Sequence, residues 1–564
     1  MKKGKKISPN PVLLNMHEYR LPKDENQQAL ITKIHTPIPR NNGRVKFDIY
    51  DYGMLFNDAA TKKIIREGKT IGCFYIESPG MRSLLKRLSC DTFEMLTAAS
   101  SVIRPGVAES GMMQEFIARH KDPRRRKYLL PEMKEYLGET YGVMIYQEDV
   151  IKIAHHVAGL TLEEADLLRR AMSGKMRSHA AMQQLSDKFF TSCINKGFSK
   201  YIAKELWRQI ESFAGYAFCK AHSASFALLS FQVAYLKAHY PAQFMASVLS
   251  NGGGYYSAAV YIQECRRMGL KLLLPSVNKS VYEYRGYGTA VRIGLMAVKN
   301  LSRKSIKKII DERKKNGQYT SLANFLSRTK IGYEETAILI KCGAMDCFKQ
   351  TRPTLMRLLD VYTYQRNIAT SLCNDLFEKK SLYLEQKVIT GRQYSIEEIC
   401  ALEHKILGYM VSRHPLEFFE ELVNNHSVIN AEEMHKYDKR KITMVGWYMT
   451  SKRIKTKKGE IMKFLSLEDL TGTFEAVIFP EVYEKYAGLT TSMGPYLLEG
   501  VVDAANGNNI IVKKMKILSG ANIKTALQKD SSENQYYGDV EKISEEEFRL
   551  VDSLGKEKLR KAYV

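Results

Sequence analysis

From Asp48 to about Leu249 apolar residues return every three or four positions, the spacing of helices that bury one face. The segments DAATKKIIREGK (58–69), GMRSLLKRL (80–88), TFEMLTAASSVI (92–103), MMQEFIARH (112–120) and AKELWRQIESFAGY (203–216) each predict one such helix. Thr161 and Glu164 form a capping-box pattern and Gly174 supplies a stop, so a further helix is expected over 162–173 with Leu162, Ala165, Leu168 and Met172 as its apolar stripe. The turn SNGGGYY (250–256) interrupts the helical region, and short amphipathic helices surround GLMAVKNLS (294–302) and LIKCGAMD (339–346). From 441 to 518 the period changes to two. ITMVGWYM, MKFLSLED, FEAVIFP, YLLEGVVDA and NIIVKKMKIL predict five strands, separated by TKKGE, LTGT and NGNN turns. Five strands in so short a stretch suggest a small barrel of OB type. The fold class expected is therefore α+β and multidomain: a mainly helical region followed by the barrel.

Five of the fifteen prolines fall in residues 1 to about 45, which read as a leader, and the tail from 521 is polar. The expected divisions are 1–45, a helical domain over 46–250, a second region over 251–425, the barrel over 440–520 and the tail over 521–564. At 564 residues the chain is too long for a single core.

Charge narrows the function. Lysine and arginine total 86 against 61 acidic residues, a net charge of +25. That excess implies a polyanionic partner, and nucleic acid comes before a membrane surface because no lysine-rich amphipathic stretch or lipidation motif accompanies it. No apolar run reaches the ~20 residues of a membrane span. The nine cysteines are scattered singly, without zinc spacing, so reduced and buried thiols in a soluble cytoplasmic protein are expected. No Walker loop is present.

The segment ADLLRRAMSGKM (165–176) places Arg169 and Arg170 near the end of a helix, with Lys175 behind a glycine. Two guanidinium forks ~100° apart on a helix, beside a flexible ammonium, suit a triphosphate or a phosphodiester backbone. Cations favoured by the negative end of the helix give the plainer account of the same residues.

Four blocks extend this reading: YIESPGMRSLLKRL (75–88), SSVIRPGVAESGMM (100–113), ETYGVMIYQEDV (139–150) and FAGYAFCKAHSASFALLSFQVAYLKAHYP (213–241). In this order and at these separations they closely resemble the fingers of the bacterial replicative DNA polymerase III alpha subunit, the C-family polymerases. The resemblance runs from about Val45 to Leu518. VRIGLMAVKNLS and LIKCGAMDCF resemble the helix-hairpin-helix region that follows the fingers, with Lys299 as a DNA-facing candidate; where the family has glycines in the first hairpin, this chain has Asn300 and Ser302. EHKILGYMVSRHPLEFF (403–419) resembles the linker before the family's OB domain.

The resemblance implies binding of the incoming dNTP by Arg169, Arg170 and Lys175. Arg82, Arg104, Gln147 with Glu148, Lys220 and His222 follow as further candidates for the nucleotide and template pocket. Tyr141, Tyr146, Tyr216 and Phe218 either stack on bases or belong to the core. In the barrel, Lys452, Arg453, Lys455, Lys457 and Lys458 are candidate contacts to single-stranded DNA, or a solvated hairpin. CNDLF (373–377) partly matches the family's sliding-clamp motif through Asp375, Leu376 and Phe377, with Cys373 where glutamine belongs; a core helix accounts for Leu376 and Phe377 equally well. The partners implied are primer-template DNA, dNTP, the sliding clamp and other replicase subunits.

The family's nucleotidyl transfer requires Mg2+ held by palm aspartates, and no Asp-x-Asp occurs in the sequence. Asp48 and Asp51 align beyond the third catalytic aspartate and read as turn and cap residues. The chain thus resembles a C-terminal half of an alpha subunit, with catalytic residues unassigned and no metal ligands of its own. Two readings remain open. It is either a polymerase component completed by a palm-bearing polypeptide, or a non-catalytic DNA- and clamp-binding module or decayed copy.

Overall fold

The structure is a computed structural model that describes residues 48–103, 111–172, 179–211, 219–369, 391–424, 426–456, 458–504, 507 and 509–518. The chain divides into a unit ending at Tyr52, of which 48–52 are described, and a unit beginning at Gly53. The second unit carries all that follows.

The period-3.6 segments form helices where expected: Ala59–Arg66, Pro79–Leu88, Phe93–Val102, Met112–Lys121 and Lys200–Glu211. Side chains close the N-termini of the first three. Asp58, Ser78 and Thr92 accept from the backbone N–H of Thr61, Met81 and Met95, each satisfying a donor that the helix itself leaves unpaired.

The helix around the paired arginines spans Leu162–Met172. Its capping box is formed: Glu164 accepts from the Thr161 amide at 3.0 Å, and Thr161 Oγ1 accepts from the Glu164 amide at 3.2 Å. Its buried stripe is Ala165, Leu168, Ala171 and Met172, packed on Met133, Leu137, Met144, Val150, Phe189 and Leu206. Leu162, expected in that stripe, is 60% exposed: it is the first residue of the helix, and the buried face begins at Ala165.

Lys220–His239 is a 20-residue helix packed against Phe93–Val102 and Ala59–Arg66. It buries a cation. Lys237 Nζ donates to the Ile71 carbonyl at 2.7 Å and to Glu264 at 2.6 Å. Glu264 also receives Arg267, whose other arm reaches Glu468 of the barrel at 2.6 Å. Burial alone would raise the Glu264 carboxyl, but Lys237 and Arg267 outweigh it and hold the group at about 2.

After the helix Ala258–Arg267 comes a three-stranded sheet of β1 (Lys271–Leu273), β2 (Arg285–Tyr287) and β3 (Ala290–Arg292), with β3 central, parallel to β1 and antiparallel to β2. Three-residue strands are too short for a period-two signal, so the sequence pattern did not reveal them. The helices Arg303–Asn316, Leu322–Thr329, Tyr333–Lys341, Arg352–Ala369 and Ile396–Leu407 follow.

The five predicted strands close into a barrel of β4 (Lys441–Lys455), β5 (Ile461–Glu468), β6 (Thr473–Ile478), β7 (Tyr496–Asp503) and β8 (Asn509–Ile517), in the order β4-β5-β6-β8-β7. All pairs are antiparallel except β6 with β8, and the helix Pro480–Tyr486 connects β6 towards β7. This is the strand arrangement of an OB fold. Met444, Leu465, Leu467, Phe474, Ile478, Tyr496, Leu498 and Ile510 fill it. At Gly446 an added Cβ would lie 2.8 Å from Leu467 and Phe474, so the first strand needs a glycine where it passes over the core.

Among the described cysteines, Cys73, Cys90, Cys193, Cys265, Cys342 and Cys400 are buried; Cys347 is exposed, contrary to the expectation of uniformly buried thiols. Cys347 sits in the short 3-10 turn Asp346–Phe348, which buries none of its residues.

Candidate nucleotide and nucleic-acid interface

The segment Tyr146–Asp149 holds two of the candidate cations. Asp149 is buried, and its carboxylate accepts from the amides of Ile145 and Tyr146 at 2.9 Å each, fixing the turn that starts the helix Gln147–Lys152. Burial pushes the Asp149 carboxyl up to about 6, against the lowering effect of those amides. Gln147 Oε1 then accepts from Arg169 at 3.0 Å. Glu148 accepts from the backbone N–H of Lys220 at 3.0 and 3.1 Å, capping the helix Lys220–His239 from outside. The Lys220 ammonium lies 5.6 Å from the centre of the Tyr146 ring and pairs with Glu139 at 2.7 Å.

Asp166, one turn before the arginines, pairs with both guanidiniums at 2.7 Å. The hydrogen bond from Arg169 holds the Asp166 carboxyl below its usual value. Both guanidiniums thus converge on one carboxylate. Arg169 is 23% exposed, with Nε and both terminal nitrogens engaged by Asp166 and Gln147. Arg170 is 61% exposed. Lys175 lies outside the described residues, as does Arg104.

Arg82 and His222 have partners of their own. Arg82 donates to the Gly68 carbonyl at 2.9 Å, to Tyr256 at 3.4 Å and to Thr473 at 2.6 Å, so its guanidinium ties a helical loop to β6. His222 packs edge-on against Phe226 at 4.4 Å, and Phe226 stacks on Tyr75 at 4.8 Å and contacts Phe74 at 5.4 Å. Phe74 is 47% exposed, and Tyr75 holds a positive φ of 68°, a strained conformation for a bulky residue. Sequence reasoning passed over these rings: isolated aromatics without periodicity carry no signal of their own. Tyr146 is buried, and Tyr141 is enclosed by Phe116, His120 and Arg126, so both belong to the packing. Tyr216 and Phe218 lie outside the described residues.

In the first hairpin Asn300 adopts a φ of 61°, the left-handed conformation that glycine takes most readily. Ser302 caps the helix Arg303–Asn316, accepting from the Ser305 amide at 3.1 Å. The Ser302 amide itself donates to Glu335 at 2.8 Å, and Ser305 Oγ donates to the same carboxylate at 2.5 Å. Lys299 is exposed beside this turn.

On the barrel, Lys452, Arg453 and Lys455 end β4 opposite Phe464, Lys463 and Ile461 of β5. Lys452, Lys455 and Lys458 are exposed and form no ion pair with described residues. Lys457 lies outside the described residues, as do Cys373, Asp375, Leu376 and Phe377. Among the described residues, no group of three or more His, Cys, Asp or Glu side chains is placed to hold a metal ion. No described helix is long and apolar enough to cross a membrane.

Comparison with known proteins agrees with this architecture. Residues 28–197 match the bacterial DNA polymerase III alpha subunit finger domain, and residues 269–355 match the helix-hairpin-helix motif. The finger match begins inside the stretch expected to be a leader. With the closed barrel after them, these regions are similar to those of bacterial DNA polymerase III alpha subunits. More particularly, the chain is DNA polymerase III alpha-like and matches the C-terminal half of that subunit. It is 33% identical to the DNA polymerase III subunit alpha of Aquifex aeolicus over 463 residues, covering 81% of this chain and 38% of the relative. For Borreliella burgdorferi the identity is 34% over 460 residues, 79% of this chain and 39% of the relative. For Bacillus subtilis it is 32% over 480 residues, 84% and 42%. The chain thus spans about two fifths of the length of the curated relatives it matches.

Proposed function

We propose that the chain is the nucleotide- and DNA-holding part of a replicative DNA polymerase, taking part in DNA-templated synthesis together with a polypeptide that supplies the metal-binding carboxylates. The observation that carries this reading is the junction at Tyr146–Asp149, which joins Arg169, inside the region matching the finger domain, to Lys220 beyond it.

Arg170, 61% exposed and paired with Asp166, is the group best placed to meet a triphosphate, since the carboxylate it shares with Arg169 orients it. Arg169 acts as its positioning neighbour through Gln147. As pyrophosphate leaves, its growing charge is stabilised by cations already fixed in place, which need no reorganisation at that moment. Lys220, Lys175, Arg104 and His222 belong to the same proposed pocket. The barrel cations Lys452, Arg453, Lys455, Lys457 and Lys458 suit the phosphates of single-stranded template. Mg2+ supplies nucleophile activation and charge neutralisation in such chemistry, and no described carboxylate group is assigned to hold it. The sliding clamp, through 375–377, and other replicase subunits complete the proposed partners, in the cytoplasm.

Primer extension by the purified chain, alone and with a palm-bearing polypeptide, tests the reading. Extension in the complemented reaction supports it. DNA binding without extension in both reactions would instead favour a non-catalytic binding module.

A further inference from the structure

The helix Arg303–Asn316 buries Ile306 and Ile309, and turns Arg313 inward, where its guanidinium donates to the carbonyls of Val277 at 2.6 Å and Ser280 at 2.7 Å. The opposite face carries Lys304, Lys307, Lys308, Lys314 and Lys315, all exposed and none in an ion pair with described residues. At 100° per residue these five fall within ~120° of one another around the axis, directly away from the buried isoleucines. One carboxylate, Asp311, sits among them. Over the ~16 Å from Lys304 to Lys315 the face therefore presents a strip of nearly one sign.

This helix lies within the helix-hairpin-helix match, and in such hairpins backbone amides at the turn are the groups that meet a phosphate. Here a carboxylate of the same chain sits at that turn: Glu335 accepts from the Ser302 amide and from Ser305 Oγ, so those two donors are already taken. These hydrogen bonds outweigh burial and hold the Glu335 carboxyl below its usual value, so it stays an anion that repels a second one.

We infer that this region grips a nucleic-acid duplex through the lysine face of the helix Arg303–Asn316, with the sealed hairpin at Ser302 serving as a structural joint. A duplex carries one negative charge per ~1.7 Å of axis, so a cationic strip of this length opposes several phosphates at once and gains from the counterions they release. The ends of the lysine stems move freely, which suits contact that follows the backbone without reading sequence. The inference rests on the chain being a DNA-holding component, and it adds the place of contact and the kind of ligand.

The test is equilibrium binding of a short mixed-sequence DNA duplex to the full chain across a salt series. It uses the parent, the triple variant Lys304→Gln/Lys307→Gln/Lys308→Gln and the variant Glu335→Gln, with circular dichroism to confirm folding. Glutamine keeps helix propensity close to that of lysine. The triple variant is expected to bind about tenfold or more weakly at low salt, with the slope of log affinity against log salt reduced by about two to three. Glu335→Gln is expected to stay within about twofold of the parent, because it leaves the donors occupied by a neutral acceptor. Unchanged affinity and slope in the triple variant would overturn the inference, as would a large gain for Glu335→Gln with the triple variant silent, which would return the phosphate to the hairpin amides. Nucleotide binding and complemented extension report on the proposed function separately, so a folded triple variant with normal nucleotide binding isolates failure of this inference alone.

Discussion

Arg169 Nη1 donates to Gln147 Oε1 at 3.0 Å across 22 residues of chain, and this bond sets the guanidinium that Asp166 shares with Arg170. The two arginines are therefore unequal: one is braced, the other presented.

That inequality predicts different variants. Arg170→Ala should weaken binding of a fluorescent dNTP analogue by the complemented enzyme, by about tenfold, while leaving thermal stability within ~0.5 kcal/mol, since exposed pairs contribute little. Arg169→Ala should lower both, because it strips the brace from Gln147 and Asp166. Equal loss of nucleotide and duplex affinity in both variants would mean that the pair follows backbone phosphate.

Glu148 caps the helix Lys220–His239 with a carboxylate on its first free amide. Glu148→Ala is expected to destabilise the protein by about 1 kcal/mol in urea unfolding, with Glu148→Gln recovering part of the loss. A neutral result for both would remove the cap from the account of why Lys220 sits where it does.

Arg82 makes its contacts within the fold. Arg82→Ala should cost roughly 1–3 kcal/mol through lost hydrogen bonds to Gly68 and Thr473, and leave the dNTP dissociation constant unchanged. A selective rise in that constant, without loss of stability, would restore Arg82 to the nucleotide pocket.

The acid limb of stability should report Glu264. Its carboxyl is depressed to about 2 in the folded protein from an ordinary value of 4.5, so the stabilisation is fully present above about pH 4.5 and is lost as pH falls towards 2. Chemical unfolding across that window should show a weaker pH dependence in Glu264→Gln than in the parent; identical slopes would argue that other carboxylates govern it.

Much of the architecture was legible because it rests on repeating patterns. The helices of 59–121 and the five barrel strands follow from spacing, and the helix at 162–172 from its Thr161–Glu164 box. What spacing misses is the partner of each polar side chain. Arg82 looks like any cation near a glycine turn, yet its partner Thr473 lies 391 residues away. Likewise Gln147 and Glu148 are adjacent in sequence but serve two different helices. The substitution of Asn300 and Ser302 for glycines hinted that the hairpin differs, whereas the carboxylate closing it, Glu335, is invisible until the chain is folded.

The chain of charges from Lys237 through Glu264 and Arg267 to Glu468 crosses from the long helix to the barrel inside the protein, away from water. Swinging the barrel aside would strand Glu468 and Arg267 without each other in a poorly solvating interior, a penalty of several kcal/mol. The long helix and the barrel are thus fastened to each other by charges that water cannot take over.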